Sequence, residues 1–232
     1  MTRRLAIIGM GKMGRAIADL AGDRGWTVAA RLDEAETKQG IPRELLGGAD
    51  VAVDFTVPAA AAANVRAVVA ADCPIVVGTT GWYDQLPAIA AWVNERGGAL
   101  LTAPNFSLGV NVFEQIVATA AQLLGTVSSF DARIIETHHA EKKDAPSGTA
   151  ATLARAASQA WGRQRDIPIT SIRTGFIPGT HEFVFDAPFE QIHLAHIARD
   201  RRVFAEGALV AAAWIVGRHG VFTMKDVLTP AR

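Results

Sequence analysis

The sequence predicts an α/β protein in which a doubly wound parallel sheet is joined to a second region of α+β structure. Up to Pro104, short apolar runs alternate with segments of helical spacing, as expected for buried parallel strands and their covering helices. After Pro104, a long helical segment is followed by alternating polar and apolar residues, which favour antiparallel strands in a mixed sheet. We therefore expect one domain from residues 1–104 and 207–232 and another from residues 105–206.

The first region contains five apolar runs typical of strands buried on both faces of a sheet. These predicted strands span residues 4–9, 26–32, 51–55, 74–77 and 99–103. The intervening segments predict helices at residues 15–24, 42–48, 58–71 and 83–96. Because strand and helix alternate along the chain, the strands are expected to be parallel.

The second region begins with a helix predicted at residues 111–124 and a strand at 129–136. Another helix is predicted from Thr149 to about Trp161. Residues 169–206 show period-two alternation, which predicts two or three antiparallel strands. The last predicted element is an amphipathic helix at residues 207–216.

The composition argues against several classes of protein. Lysine plus arginine equals aspartate plus glutamate at 23 each, so no global basic field attracts nucleic acid or an anionic membrane. The single cysteine, Cys73, precedes an apolar run and is predicted to be a buried structural thiol. No apolar stretch approaches the roughly 20 residues of a membrane helix and no signal peptide is visible, so a cytoplasmic protein is expected.

A glycine-rich turn lies between the first predicted strand and the first predicted helix. Gly9, Gly11 and Gly14 form a G-x-G-x-x-G pattern, which makes a tight turn, lets the backbone approach a pyrophosphate and packs helix on strand. Asp33 follows Gly14 by nineteen residues, where a carboxylate can accept a hydrogen bond from a ribose hydroxyl. The pattern predicts a Rossmann-type sheet that binds a dinucleotide.

The acidic pair Asp33-Glu34 bears on which dinucleotide binds. Two carboxylates would repel the 2′-phosphate of NADPH, so NADH is favoured. Lys12, Arg15 and Arg31 are cations that could offset this repulsion, so NADPH stays open as the alternative.

Two further segments end predicted strands, where parallel sheets bind ligands. Gly78–Gly81 ends the fourth strand and Ala103–Phe106 ends the fifth. Gly78–Gly81 is either a plain turn or a contact for the nicotinamide and its ribose, and the residues alone leave both interpretations open.

Residues 136–148 gather most of the proton and anion chemistry. His138 and His139 would point to opposite faces of a regular strand, so one site can use both only at a bend. The segment Asp144–Thr149 supplies turn residues, and Ser147 or Thr149 can cap a helix whose N–H groups would hold a carboxylate. An imidazole beside Lys142 can donate a proton to an anionic substrate.

Plainer interpretations apply to each histidine. The pair could be surface or core residues, and a metal site is disfavoured because no partner shows a closing ligand spacing. His193 and His196 lie three apart in a strand pattern and are predicted to be structural or peripheral, and His219 to be a turn residue. His181 stays open.

The chain resembles the 4-hydroxy-tetrahydrodipicolinate reductase (dihydrodipicolinate reductase) family over essentially its whole length. The motifs that carry the resemblance are Gly9–Gly14, Asp54–Pro58, Gly78–Gly81, Ala103–Asn111, Ile135–His139 with Lys142, Asp144–Thr149, Phe204–Ala208 and Val221–Leu228. The resemblance implies NAD(P)H-dependent reduction of a cyclic dicarboxylate to tetrahydrodipicolinate in diaminopimelate and lysine biosynthesis. It also implies a homotetramer assembled through the second domain.

The resemblance implies a role for each matched residue. His138 and Lys142 match the catalytic pair. Substrate contacts are implied for His139, Ser147, Gly148, Thr149 and Thr80. Cofactor contacts are implied for Gly9, Gly11, Lys12, Met13, Gly14, Asp33, Phe55, Gly78, Thr80, Ala103, Asn105 and Phe106. No metal is expected.

Two departures from the family pattern concern the cofactor. Only seventeen residues separate Asp33 from Val51, where many members carry a longer insert, and Glu34 stands where NADP-favouring members have arginine. Another two-domain dehydrogenase, such as a homoserine or aspartate dehydrogenase, is disfavoured by the loop containing His138, His139 and Lys142. A non-catalytic NAD-responsive regulator is disfavoured because the zero net charge shows no DNA-binding patch.

Overall fold

The computed structural model describes residues 2–162 and 166–229, which form two compact units. One unit comprises the chain up to Leu108 together with the chain from Arg202 onward, and the other comprises Gly109–Arg201. The ends of the predicted first domain, at Met1 and at residues 230–232, lie outside the described residues.

The first unit is built on a six-stranded sheet in which every neighbouring pair of strands is parallel. Its strands are β1 (Arg3–Ile8), β2 (Trp26–Leu32), β3 (Val51–Asp54), β4 (Ile75–Val77), β5 (Ala99–Thr102) and β10 (Gly220–Phe222). The spatial order is β10-β5-β4-β3-β1-β2, so β1 has β2 on one side and β3 on the other. The order reverses beside β1, and ligands of such sheets bind outside the carboxyl ends of the strands at this point.

Helices cover both faces of this sheet. They are α1 (Lys12–Ala21), α2 (Glu34–Thr37), α3 (Pro58–Ala70), α4 (Leu86–Glu95), α7 (Arg202–Ile215) and α8 (Met224–Leu228), with 3-10 turns at Gly22–Arg24 and Arg43–Leu46. Leu5 and Ile7 of β1 pack in the cluster formed with α1 and α7. Ala6 and Ile8 pack in the cluster formed with α3 and α4. The doubly wound parallel sheet predicted from the apolar runs is confirmed.

The second unit holds a four-stranded mixed sheet and two helices. Its elements are α5 (Leu108–Leu124), β6 (Asp131–His138), α6 (Gly148–Ala160), β7 (Ile169–Arg173), β8 (Gly179–Ala187) and β9 (Glu190–Ala198). The sheet order is β7-β6-β8-β9. Ile134, Leu153, Phe183 and Phe185 are fully or almost fully buried in its core. The predicted mixed sheet is confirmed.

Two details of the prediction are wrong. The antiparallel pairing predicted after residue 169 is confirmed for β8 and β9, but β7 pairs parallel with β6. Helix α6 lies between them in the chain, and such a crossover returns the chain parallel to its start.

The second error concerns the helix predicted to begin at Gly207. Helix α7 begins at Arg202, and it is followed by β10 and α8. A Cβ atom on Gly207 would collide with the carbonyl oxygen of Phe106, so this glycine permits close packing inside the helix and does not mark its start.

Cys73 is only 5% exposed, and burial raises the pKa of its thiol to about 12. The prediction of a buried structural thiol is confirmed. Among the described residues, no helix is long and apolar enough to cross a membrane.

Candidate active site

The glycine-rich turn has the geometry that close approach of a ligand requires. Gly9 follows β1 with φ +89°, and a Cβ on it would lie 2.5 Å from the carbonyl oxygen of Phe55. A Cβ on Gly14 would collide with the carbonyl of Gly9, so the third glycine lets α1 pack on the turn. Gly11 caps the start of α1, and a Cβ there would meet nothing within 4 Å. The open space lies where a pyrophosphate reaches a helix N-terminus.

A cavity of about 530 Å³ adjoins this turn at the carboxyl ends of β1 and β3. Its described lining includes the exposed carboxylates Asp33 and Glu34 and contains no lysine or arginine. The remaining lining residues are Gly9, Gly11, Thr37, Phe55, Thr56, Val57, Ala59, Ala60 and Asn64. Lys12 is exposed outside this lining, and Met13 packs against the core of the sheet.

Asp33 has a second role that its spacing did not predict. It is the N-cap of α2 and forms a capping box with Glu36, whose carboxylate accepts a hydrogen bond from the backbone N–H of Asp33 at 2.8 Å. Its Oδ1 also accepts from the N–H of Met10 at 3.3 Å. Asp33 therefore connects the glycine-rich turn to the end of β2 at the edge of the cavity.

Asp54, which the sequence reasoning did not single out, organises the wall of the same cavity. This fully buried carboxylate accepts hydrogen bonds from the Thr56 hydroxyl at 2.7 Å, the Asn64 amide at 2.8 Å and the Thr79 hydroxyl at 3.0 Å. Burial raises the pKa of Asp54, while these hydrogen bonds act in the opposite direction. Asp54 thus joins the ends of β3 and β4. An acid inside the apolar run Val51–Phe55 is the signal that could have revealed it.

The other predicted cofactor residues follow β3, β4 and β5. A Cβ on Gly78 would collide with the ring of Phe55, which in turn lies against Phe106 with ring centroids 5.8 Å apart. Ala103 and Phe106 are buried. The side-chain amide oxygen (Oδ1) of Asn105 accepts a hydrogen bond from the N–H of Ser107 at 2.8 Å, and Thr80 is exposed. Of the predicted residues in this group, only Phe55 lines the 530 Å³ cavity.

A buried carboxylate–imidazole pair lies in the second unit. Side chains two apart on a strand share a face, and β6 places Glu136 and His138 on its buried face. Oε2 of Glu136 lies 2.5 Å from Nδ1 of His138. The sequence predicts a role for His138 but none for Glu136, although the position of Glu136 two residues earlier on the same strand was the available signal.

Glu136 is held as a carboxylate by partners from other elements. Its Oε1 accepts from Nη2 of Arg173 at 2.7 Å and from the N–H of Ser147 at 3.3 Å. Burial raises the pKa of Glu136, but hydrogen bonds from Arg173, Ser171 and His138 outweigh it and bring the pKa to about 2. Arg173, at the end of β7, was not predicted to take part in the site.

His181 is the second histidine of this cluster. It lies opposite Glu136 in the pairing of β6 with β8, and its Nε2 lies 3.1 Å from the Ser147 hydroxyl. Burial, together with the nearby positive charge of His138, lowers its pKa to about 4. Its buried Nδ1 has no hydrogen-bond partner among the described residues.

Glu136, His138 and His181 bring three potential metal ligands within 4.8 Å of one another. The sequence shows no ligand spacing that would complete a metal site, because His181 is distant from Glu136 and His138 along the chain. In the structure, β8 brings His181 next to them. Arg173 already balances the charge of Glu136, so the cluster suits a proton better than a second cation.

The loop after β6 separates the two adjacent histidines. His139 is half-buried, and its N–H donates to the carbonyl of Ile177 at 2.8 Å. The Lys142 ammonium lies 2.7 and 2.8 Å from the two carboxylate oxygens of Asp144 and lowers the pKa of that acid. Lys143 is exposed. His138 and His139 therefore lie in different surroundings.

Helix α6 begins where this loop ends. Ser147 is its N-cap, and its hydroxyl accepts from the N–H of Ala150 at 3.2 Å. Because Ser147 is also engaged with Glu136 and His181 and is 2% exposed, its polar groups support the loop from inside. Gly148 is exposed with open space around its Cα, and Thr149 is half-buried.

A dinucleotide-binding turn and a buried histidine–carboxylate pair beside a lysine are features of an oxidoreductase that uses a nicotinamide cofactor. Family models agree with this class. The dihydrodipicolinate reductase N-terminus matches residues 3–106, and the dihydrodipicolinate reductase C-terminus matches residues 109–228. The chain belongs to the dihydrodipicolinate reductase family.

Individual relatives cover most of the chain. The 4-hydroxy-tetrahydrodipicolinate reductase of Christiangramia forsetii is 36% identical over 235 residues, which is 97% of each protein. That of Methanoregula boonei is 41% identical over 194 residues, covering 77% of this chain and 74% of its own. The fold is similar to that of dipicolinate-bound dihydrodipicolinate reductase from Paenisporosarcina sp. TG-14, with a TM-score of 0.83 at 22% identity and coverage of 98% and 100%.

Proposed function

We propose that the protein reduces 4-hydroxy-tetrahydrodipicolinate to tetrahydrodipicolinate in the diaminopimelate route to lysine. The relatives that carry this name support the substrate. The observation that carries the chemistry is the 2.5 Å contact between buried, ionised Glu136 and His138, because it provides a positioned proton donor.

The residues around the glycine-rich turn fit a dinucleotide. A Cβ on Gly9 or Gly14 would collide with neighbouring backbone carbonyls and prevent the tight turn, and Gly11 leaves open space before α1 for a pyrophosphate. When bound, the reduced nicotinamide supplies a hydride. We assign cofactor contacts to the glycine turn, Asp33 and Phe55, with the loops that contain Gly78 and Asn105. The two carboxylates and the lack of a cation in the described lining favour NADH over NADPH.

The reaction removes water from C4 of the substrate ring, adds hydride at C4 and consumes one proton. His138 supplies that proton, and the Lys142 ammonium anchors the anionic substrate or shares the transfer. His139, Gly148 and Thr149 are proposed to hold the carboxylates, with Thr80 as a further contact. Ser147 belongs to this proposal mainly as the residue that fixes the loop, since its polar groups are bonded inside the protein.

We propose different roles for the two units. The first unit binds the dinucleotide, and the second binds the substrate and forms a homotetramer. A cytoplasmic location is proposed because amino-acid biosynthesis is the role that the family name implies.

The test is a coupled assay in which the substrate is generated in place and oxidation of NADH and NADPH is followed separately. Dependence of oxidation on the freshly generated dicarboxylate is expected. If neither cofactor is oxidised when the dicarboxylate is supplied to folded protein, the proposed function is wrong.

A further inference from the structure

We propose that Glu136 is a positioning residue that keeps a hydrogen on Nδ1 of His138 and thereby makes Nε2 the atom that delivers the proton. Its catalytic consequence rests on the proposed function. Its structural content, the tautomer of His138, can be tested without turnover.

The geometry around Glu136 permits one arrangement of hydrogens. A carboxylate only accepts hydrogen bonds, and Oε1 is already approached by Arg173 and by the N–H of Ser147. The contact of 2.5 Å from Oε2 to Nδ1 of His138 therefore requires the hydrogen to lie on the imidazole side. The guanidinium of Arg173 keeps Glu136 ionised, so the arrangement persists at neutral pH.

A glycine lies beside the opposite edge of the ring. A Cβ on Gly179 would lie 3.4 Å from Cδ2 of His138 and only 3.0 Å from its Nε2, which is tighter than ordinary packing. With Nδ1 committed to Glu136 and Nε2 beside a residue without a side chain, protonation and proton release both fall to Nε2.

Charged or titratable groups from four segments lie near this ring. Glu136 of β6 stabilises the imidazolium form of His138. Arg173 at the end of β7 and Lys142 in the loop after β6 destabilise that form. Asp144 is paired with Lys142. His181 of β8 is neutral near pH 7. Burial lowers the pKa of His138, and Glu136 is the group that counteracts burial. Replacing its carboxylate by an amide would thus lower the pKa further.

The substitution Glu136→Gln keeps the size of the side chain while removing the charge. The amide would present its NH₂ group to Nδ1 when its oxygen stays with Arg173, and the neutral ring would then carry its hydrogen on Nε2. Glu182→Gln is the matched control, because Glu182 pairs with Ile135 one position away in the same two strands and is half-buried.

The direct measurement is ¹⁵N NMR of the histidine rings, with His138 assigned by comparison with His138→Gln. In wild-type protein and in Glu182→Gln, the neutral form of His138 is expected to carry its hydrogen on Nδ1. Glu136→Gln is expected to show the hydrogen on Nε2 and titration at lower pH. A wild-type His138 with its hydrogen on Nε2 overturns the proposal, even if Glu136→Gln does not fold.

Kinetics supply the second readout. Glu136→Gln should lower kcat about 100-fold and move the fall of kcat at high pH to lower pH, with NADH affinity unchanged. A wild-type kcat and pH profile in folded Glu136→Gln would refute the catalytic part. Absence of dicarboxylate reduction by the wild type would refute the proposed function, whereas the NMR result would still decide the tautomer.

Discussion

The rings of His138 and His181 meet edge to face, with centroids 5.2 Å apart and planes inclined by 74°. Burial lowers the pKa of both imidazoles, that of His181 to about 4, so His181 is neutral near pH 7. A neutral neighbour adds no positive charge to repel the imidazolium. Near pH 7, His181 therefore gives the ring of His138 a polar but uncharged neighbour.

His138→Gln and Lys142→Ala should each lower turnover, roughly 100- to 10,000-fold for His138→Gln, because the proton donor or its cationic neighbour is lost. Neither residue lines the glycine-rich cavity, so NADH affinity measured by fluorescence titration should be nearly unchanged. Lys143→Ala, which removes the adjacent exposed ammonium, is the matched control and should retain activity. Ordinary turnover in the double variant His138→Gln/Lys142→Ala would contradict the catalytic assignment.

Glu34→Arg should raise kcat/KM with NADPH relative to NADH. It replaces one of the two carboxylates in the cavity lining with a cation that can pair with a 2′-phosphate. Glu44→Arg makes the same charge change at an exposed position outside that lining and should leave the ratio unchanged. An unaltered cofactor ratio in Glu34→Arg would refute the charge argument.

Asp54→Ala should destabilise the first unit by roughly 3 kcal/mol, because Asn64, Thr56 and Thr79 lose their acceptor in a buried place. Urea unfolding measures the difference, and NADH binding should weaken because the cavity wall loosens. Asp84→Ala, at an exposed position after β4, should change stability by less than about 0.5 kcal/mol. Equal stability of the two variants would show that the buried network contributes little.

Acidification should destabilise the protein through His181. An unfolded histidine binds a proton near pH 6.5, whereas folded His181 does so near pH 4, so the unfolded state binds more protons between these values. The contribution of His181 to stability is fully present above pH 6.5 and decreases by about 3 kcal/mol as the pH falls through 4. Burial also lowers the pKa of half-buried His196, so this residue adds to the loss of stability at low pH.

Urea unfolding across this pH range checks the prediction. His181→Gln should make the free energy of unfolding less dependent on pH, while its amide keeps a hydrogen-bond partner for Ser147. His193→Gln, which removes an exposed histidine of β9, should leave the pH dependence unchanged. An equally steep loss of stability in His181→Gln would assign the effect to other groups.

Gly179→Ala should lower kcat roughly 10- to 100-fold, because the added methyl group would press on Nε2 of His138. The tautomer of His138 should persist, since Glu136 is untouched. Gly22→Ala is a suitable control, as its Cβ would meet nothing within 4 Å and its φ is −58°. Unchanged kcat in Gly179→Ala would show that the proton leaves by another route.

Local patterns predicted the first unit well, and long-range pairing limited the rest. The run Arg3–Ile8 and the three glycines after it are contiguous, so the strand, turn and helix could be identified without knowing the rest of the chain. Strand β10 has three residues, too few for a periodic signal. Its place beside β5 depends on a contact between segments more than a hundred residues apart.

The candidate site shows the same limit. His138, Lys142 and Ser147 lie in one segment and were recognised together, although their roles as assigned stay predictions. Arg173 lies 37 residues from Glu136, and it reaches that carboxylate only because β7 pairs with β6. Alternation along one strand gives its faces but not its neighbours, so neither Arg173 nor His181 could be assigned from the sequence.

Helix α7 also determines when one apolar face of the parallel sheet can be covered during synthesis of the chain. It supplies Ala205, Leu209, Ala212 and Ile215 to the apolar cluster on one face of the parallel sheet, yet it is translated after the whole second unit. A nascent chain that has produced β1–β5 therefore exposes part of that face to solvent until residues beyond Arg202 emerge. More than ninety further residues are synthesised before α7 can cover that face, and apolar surface exposed in this interval is prone to aggregation.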